Sequence, residues 1–164
     1  MKTVGHKLEK FAVTGVNPGQ PEDAFFEITD ESFAGKWKVI VYYPKDFTFV
    51  CPTEIVAYDK LAGDFADRDA VLLTGSTDNE FCKVSWQNAH ADLKKITHTQ
   101  FADTQRGELS LIEQLGVFYA PAGAALRATF IVDPDNVIQH VTVNNLNVGR
   151  SPEETLRVLD ALQT

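Results

Sequence analysis

Cys51 lies in the segment Pro44-Lys45-Asp46-Phe47-Thr48-Phe49-Val50-Cys51-Pro52. A cysteine is nucleophilic as its thiolate, and a free thiol of pKa ~8.5 is only about 3% ionised at pH 7. Pro52 directly after Cys51, followed by Glu54, matches the residue types of a helix's first turn. The pattern predicts Cys51 at a helix N-terminus, where unpaired N–H groups and the positive end of the dipole favour an anion. A pKa lowered to ~6 would make roughly 90% of the thiol ionised, a gain of about 2 kcal/mol. That gain is too small for a fast enzyme. The remainder must come from orienting the second reactant and stabilising charge as it develops. Thr48, three residues before Cys51, offers a hydroxyl. Pro44 bends the chain and shields the site, and Arg127 offers a fixed cation.

These residues need a scaffold that ends a strand at Pro44 and returns Arg127 to it from far along the chain. Residues 37–43 are β-rich and mostly apolar, and predict a central strand closed by Pro44. Ile55, Tyr58, Ala62 and Phe65 recur at helical spacing and give the helix after Cys51 one apolar face. A second buried strand is predicted over 70–74, and a helix over 79–93 with Phe81, Val84, Trp86 and Leu93 among its apolar positions. Phe101 begins a short extended piece, and residues 107–115 predict a helix closed by Gly116, the type suited to a left-handed cap. Strands over 128–133 and 137–144 are joined by the turn signal Pro134-Asp135-Asn136. Ser151-Pro152-Glu153-Glu154 is a capping box that opens a last helix bearing Leu156, Leu159 and Leu162. The Pro/Gly-rich stretch 15–21 reads as a loop. Helices between the first strands imply parallel pairing by right-handed crossover, and the hairpin adds antiparallel strands. The expected class is α/β, a central mixed β-sheet flanked by helices on both faces.

The whole chain sets outer bounds. Its 164 residues suit one domain, 1–164, with a sizeable core. A net charge of −8 argues against sequence-independent nucleic-acid binding and against docking on anionic membranes. No stretch approaches the ~20 apolar residues of a membrane span, and no signal-peptide pattern opens the chain, so the default location is the cytoplasm. Cys51 and Cys82 lie far apart and form neither a Cys-x-x-Cys pair nor a zinc-ligand spacing. His6, His90, His98 and His140 share no spacing with carboxylates or thiols, and no Gly-rich phosphate loop exists. Neither a metal site nor nucleotide binding is expected from these residues. Cys82 reads as a packing residue, Trp86 as core or interface packing near the site, and Asp46 as a solvated loop acid.

Pro-x-x-x-Thr-x-x-Cys is the signature of peroxiredoxins, and Pro44, Thr48 and Cys51 match it. Three further segments resemble the typical 2-Cys group, which includes the alkyl hydroperoxide reductase C component. They are Phe47-Thr48-Phe49-Val50-Cys51-Pro52-Thr53-Glu54, Arg127-Ala128-Thr129-Phe130-Ile131-Val132-Asp133 and Asn144-Asn145-Leu146-Asn147-Val148-Gly149-Arg150. The resemblance covers nearly the whole chain in order and separation. It implies a thioredoxin-like fold and a thiol-specific peroxidase that reduces hydrogen peroxide and organic hydroperoxides, in antioxidant defence and redox homeostasis, with no metal or organic cofactor. Cys51 would be the peroxidatic cysteine, passing through a sulfenic acid. Thr48 and Arg127 would hold the thiolate and the peroxide oxygens, and Glu54 with Arg150 would orient Arg127.

The resemblance also implies partners: a peroxide, a disulfide reductant (a thioredoxin-like protein or a dedicated flavoprotein reductase), and further copies forming dimers in a decameric ring. Similar proteins place the Cys82 segment at or near a dimer–dimer contact. A tail with a resolving cysteine is expected after Thr164, the alternative being a one-cysteine variant. The Gly-Gly-Leu-Gly insert of overoxidation-sensitive members is missing from the short region 94–103, which implies resistance to sulfinic acid formation. A thiol–disulfide oxidoreductase on the same fold would carry Cys-x-x-Cys. A purely structural or holdase role has no sequence feature of its own.

Overall fold

The computed structural model describes residues 2–19, 24–48 and 51–164. Residues 20–23 of the Pro/Gly-rich stretch, and Phe49 and Val50 of the Cys51 segment, lie outside the described residues. In chain order the elements are β1 (Ala12–Val16), β2 (Phe25–Thr29), β3 (Trp37–Tyr42), α1 (Cys51–Lys60), α2 (Ala62–Asp67), β4 (Ala70–Ser76) and α3 (Glu80–Ala89). Then follow β5 (Thr99–Ala102), α4 (Leu111–Leu115), β6 (Phe118–Tyr119), β7 (Ala124–Ala125), β8 (Arg127–Val132), β9 (Ile138–Asn144) and α5 (Pro152–Gln163). Seven strands form one sheet in the order β2-β1-β5-β4-β3-β8-β9, and β6 pairs with β7 in a separate ribbon. β3, β4 and β5 run parallel, and the remaining pairs are antiparallel. No helix among the described residues is long and apolar enough to cross a membrane.

The alternation of a strand explains the layers. Along β3, Val39 and Val41 face Tyr58, Phe65 and Leu159 of α1, α2 and α5. Ile40 and Tyr42 face the other way, toward Leu111, Ile112 and Leu115 of α4. Both faces of the sheet are therefore covered, as the α/β pattern requires. A third cluster caps the C-terminal end of β3, where Tyr43, Cys51, Ile55, Trp86, Leu93 and Ile96 pack together.

Several boundaries differ from those the sequence implied. The hairpin β1–β2 falls partly in the stretch that read as loop. Gly15 lies in β1, where a Cβ would come within 2.6 Å of the Phe26 ring, so this glycine makes room for packing instead of marking a turn. The helix after Cys51 breaks at Leu61, yet Tyr58 and Phe65 still reach one cluster across the break. The predicted helix over 107–115 begins only at Leu111, because Ser110 caps it by accepting from the Glu113 N–H, and Gly116 closes it with φ 73° as expected. α3 stops at Ala89, and the chain resumes in a 3-10 turn at Leu93–Lys95. β5 starts at Thr99, two residues ahead of Phe101.

Candidate active site

Cys51 opens α1 as described, shortly after the C-terminal end of β3. In open α/β sheets this carboxyl end is where reactive groups collect, because the loops leaving parallel strands converge there. β8 runs antiparallel to β3 with Val41 opposite Thr129, so Arg127, the first residue of β8, stands level with Tyr43 at that same end. Arg127 also pairs with Asn144, the last residue of β9, which brings the 144–150 segment beside it. The sheet thus joins residues 51, 127 and 150. Cys51 is a free thiol and fully buried, with 0% exposure.

Glu54 follows Cys51 by three residues, about one helical turn, and so shares its face of α1. Its Oε1 accepts from Arg127 Nη1 at 2.5 Å and from Arg150 Nη2 at 3.0 Å, and its Oε2 accepts from Arg150 Nε at 3.0 Å and Arg150 N at 2.9 Å. Burial pushes the Glu54 carboxyl up, but the Arg150 hydrogen bonds and charge, then those of Arg127, hold it below its usual value. The two arginines differ in what remains free. Arg150 Nη1 also donates to the Ala128 carbonyl at 2.8 Å, so all three of its nitrogens are engaged. Arg127 donates from Nε to the Leu146 carbonyl at 2.6 Å and from Nη1 to Glu54, while its Nη2 donates to no protein group among the described residues. Among the described residues, Arg127 is the one of the two arginines with donors left to offer a ligand.

The loop between β3 and α1 carries Pro44 and Thr48. Pro44 is half-buried in a bend, and no peptide bond among the described residues is cis. The Thr48 hydroxyl donates to the Lys45 carbonyl at 3.2 Å, so its one proton is engaged within the loop. Phe47, at φ 59°, holds a left-handed conformation unusual for a bulky residue. Its ring is 55% exposed and lies 5.9 Å from that of Trp86.

Asp46 is not the solvated loop acid the sequence implied. It is 7% exposed, and its carboxylate is ion-paired with Lys83 Nζ at 3.2 Å, both side chains being shut off from solvent. Tyr43 Oη donates to Asp46 at 2.5 Å, and the Asp46 N–H donates to Asp78 at 2.7 Å. The Lys83 ammonium donates to Tyr43 Oη at 3.0 Å and Ser76 Oγ at 2.6 Å as well. The network continues through Gln100, Thr74 and His98 to Asp59, which accepts from His98 Nδ1 at 2.7 Å. Sequence reasoning missed Lys83, although a signal existed. Lys83, Trp86 and Gln87 fall at i, i+3 and i+4 on α3, so the stripe that buries Trp86 carries two polar residues as well. Phe81, counted among the apolar positions, points outward and is 65% exposed.

Asp46, Asp78 and Cys82 place ligand atoms within 4.8 Å of one another. The Lys83 ammonium already neutralises Asp46 from within that cage, which leaves a metal ion little to add. Burial, then the charges of Asp46 and Asp78, push the Cys82 thiol up to about 11. Cys82 is partly buried, and a thiol with so high a pKa is protonated at neutral pH.

The model of the AhpC/TSA family matches residues 4–141. The chain is 46% identical to alkyl hydroperoxide reductase C of Mycolicibacterium smegmatis, over 99% of this chain and 85% of that protein. It is 38% identical to peroxiredoxin TSA1 of Saccharomyces cerevisiae, over 96% of this chain and 80% of that one. Among solved structures, Mycobacterium tuberculosis AhpC superimposes with a TM-score of 0.89 at 43% identity, covering 100% of this chain and 99% of that one. The reduced 2-Cys peroxiredoxin of Plasmodium vivax gives 0.88 at 34% identity, covering 99% and 83%. The mixed seven-stranded sheet is accordingly the thioredoxin-like fold of peroxiredoxins.

Proposed function

The chain belongs to the AhpC/TSA family of thiol-dependent peroxidases, which act in antioxidant defence, and from that premise we propose that Cys51 is its peroxidatic nucleophile. The observation that carries this is Arg127: Glu54, one turn along the helix that Cys51 opens, holds a guanidinium whose Nη2 donors are not engaged by described protein groups. The Cys51 thiolate attacks one peroxide oxygen and the O–O bond breaks. The other oxygen leaves as an alkoxide or hydroxide and takes up a proton, giving alcohol or water and a cysteine sulfenic acid. Arg127 stabilises charge on the departing oxygen. Thr48, on rotating away from Lys45, donates to the thiolate or the peroxide, and Pro44 shapes the loop. Glu54 and Arg150 are positioning residues for Arg127.

A thiol reductant closes the cycle. The sulfenic acid condenses with a second thiol, releasing water and forming a disulfide, which a dithiol protein such as a thioredoxin or a dedicated flavoprotein then reduces. Residues 1–164 act as a single domain, and the second thiol comes from a resolving cysteine or from the reductant itself. The substrates are hydrogen peroxide and organic hydroperoxides. A reducing compartment such as the cytoplasm suits two free cysteines. Phe25 and Phe81, edge to face at 5.2 Å, are exposed, as is Phe47 beside the site, while β9 ends the sheet as an edge strand. These two surfaces support assembly into dimers and then a decameric ring.

Stopped-flow peroxide consumption by the reduced protein and by Cys51→Ser tests the reading. Complete loss of the fast phase in the variant is expected, and equal consumption by both proteins would defeat it.

A further inference from the structure

The buried cation Lys83 plays no part in the reaction as described, yet it touches the reactive segment. Asp46 lies between Pro44 and Thr48, and Lys83 ties it to Ser76 at the end of β4 and to Tyr43 at the end of β3. The same network reaches Asp59 near the end of α1, so it grips the Cys51 segment from both sides. Tyr43 and Trp86, the latter one turn beyond Lys83 on α3, pack in the cluster that encloses Cys51. Phe47, next to Asp46, is held in its left-handed conformation against Trp86. A left-handed conformation at a bulky residue persists only where its surroundings hold it, and the Asp46–Lys83 pair next to Phe47 supplies such an anchor.

Resting on the reading of Cys51 as the nucleophile, we propose that Lys83 is a positioning residue for the peroxidase reaction. Its ammonium pins Asp46 and thereby fixes the loop that presents Pro44 and Thr48 to Cys51. Arg127 and Lys83 then divide the work: the first faces the reacting oxygens, and the second holds the opposite wall.

Two variants test this. Lys83→Met leaves the buried Asp46 carboxylate without a counter-charge. Asp46→Asn with Lys83→Met removes both charges and folds even if the single variant does not. Peroxide-driven oxidation of Cys51 is followed by stopped-flow tryptophan fluorescence, and amide hydrogen exchange is measured over peptides covering 44–48. The expected result is an oxidation rate constant at least ten-fold lower in the double variant, with exchange over 44–48 at least ten-fold faster while α5 peptides exchange as in the wild type. A wild-type rate in the double variant would overturn the proposal, because the pair would then serve stability alone. A slowed rate with undiminished protection over 44–48 would overturn it too, since Lys83 would not be acting through the loop. Cys51→Ser, run in parallel, separates the two readings: if it reacts with peroxide like the wild type, the nucleophile is misassigned whatever Lys83 does.

Discussion

Glu54 lies three residues after Cys51 and Asp46 five residues before it; both carboxylates are buried and both are paired with cations, yet their surroundings pull them in opposite directions. Two guanidiniums and a backbone N–H converge on Glu54, and together they outweigh its burial and hold its carboxyl low. Asp46 has one ammonium, and Asp78 stands beside it. Burial wins there, so the Asp46 carboxyl is pushed up and the Lys83 ammonium is pushed down. Planar guanidiniums fill the acceptor sites of a carboxylate with several aligned bonds, whereas one lysine shares its point charge among several oxygens. The Glu54 cluster therefore stabilises the fold and orients Arg127. Burial works against the Asp46–Lys83 pair, which on our proposal serves to define the loop.

The most severe way to break this contrast is Glu54→Gln. It leaves two buried guanidiniums without a counter-charge, so a loss of about 3 kcal/mol is expected in urea unfolding. Cys51 oxidation is expected to slow by about 100-fold as Arg127 loses its orientation. A wild-type oxidation rate would make the cluster structural only. The opposite sign in stability is expected for Asp46→Asn with Lys83→Met, a gain of about 1 kcal/mol in the same titration, because two desolvated charges disappear together. A loss of stability there would mean that the pair supports the fold as Glu54 does, and the distinction would fall.

Asp59, at the far end of the network, sharpens the picture through pH. Burial pushes its carboxyl up, but the His98 hydrogen bond and the Thr97 and His98 N–H groups lower it to about 2. A depressed folded pKa contributes stability above the unfolded value of ~4 that is lost as pH falls through the folded one. Asp59→Asn is therefore expected to be less stable than the wild type at pH 7, by about 1 kcal/mol after solvent screening. The gap narrows as pH falls from about 4 to about 2 in a series of urea titrations. The smallest effect is expected at Cys82. Its thiol stays protonated at neutral pH, so Cys82→Ser oxidises at Cys51 within about two-fold of the wild-type rate.

Legibility in the sequence followed the range of the interactions. The strand over 37–43 was readable from its local run of β-branched and apolar residues, although its pairing partners lie far along the chain. The hairpin turn at Pro134-Asp135-Asn136 and the Ser151 cap were readable because each rests on contacts between near neighbours. Asp46 was misread because nothing within its own loop reveals a cation 37 positions away on α3. His98 seemed unrelated to any carboxylate because its partner, Asp59, lies 39 positions earlier on another element. Gly15 was misread because a loop signal and a packing requirement use the same residue.

By itself the sequence determined the chemistry on offer: a thiol at a helix start, a hydroxyl three residues before it, and a distant arginine in a segment that matches a known family. Those are properties of residue type and spacing, and they survive without coordinates. Only the tertiary structure decided which charges meet. Bringing the N-terminus of β8 level with the end of β3 put Arg127 against Glu54, and packing α3 beneath the loop put Lys83 against Asp46. Buried charges must find partners, and the partners are chosen by how the sheet and helices pack, not by their order along the chain.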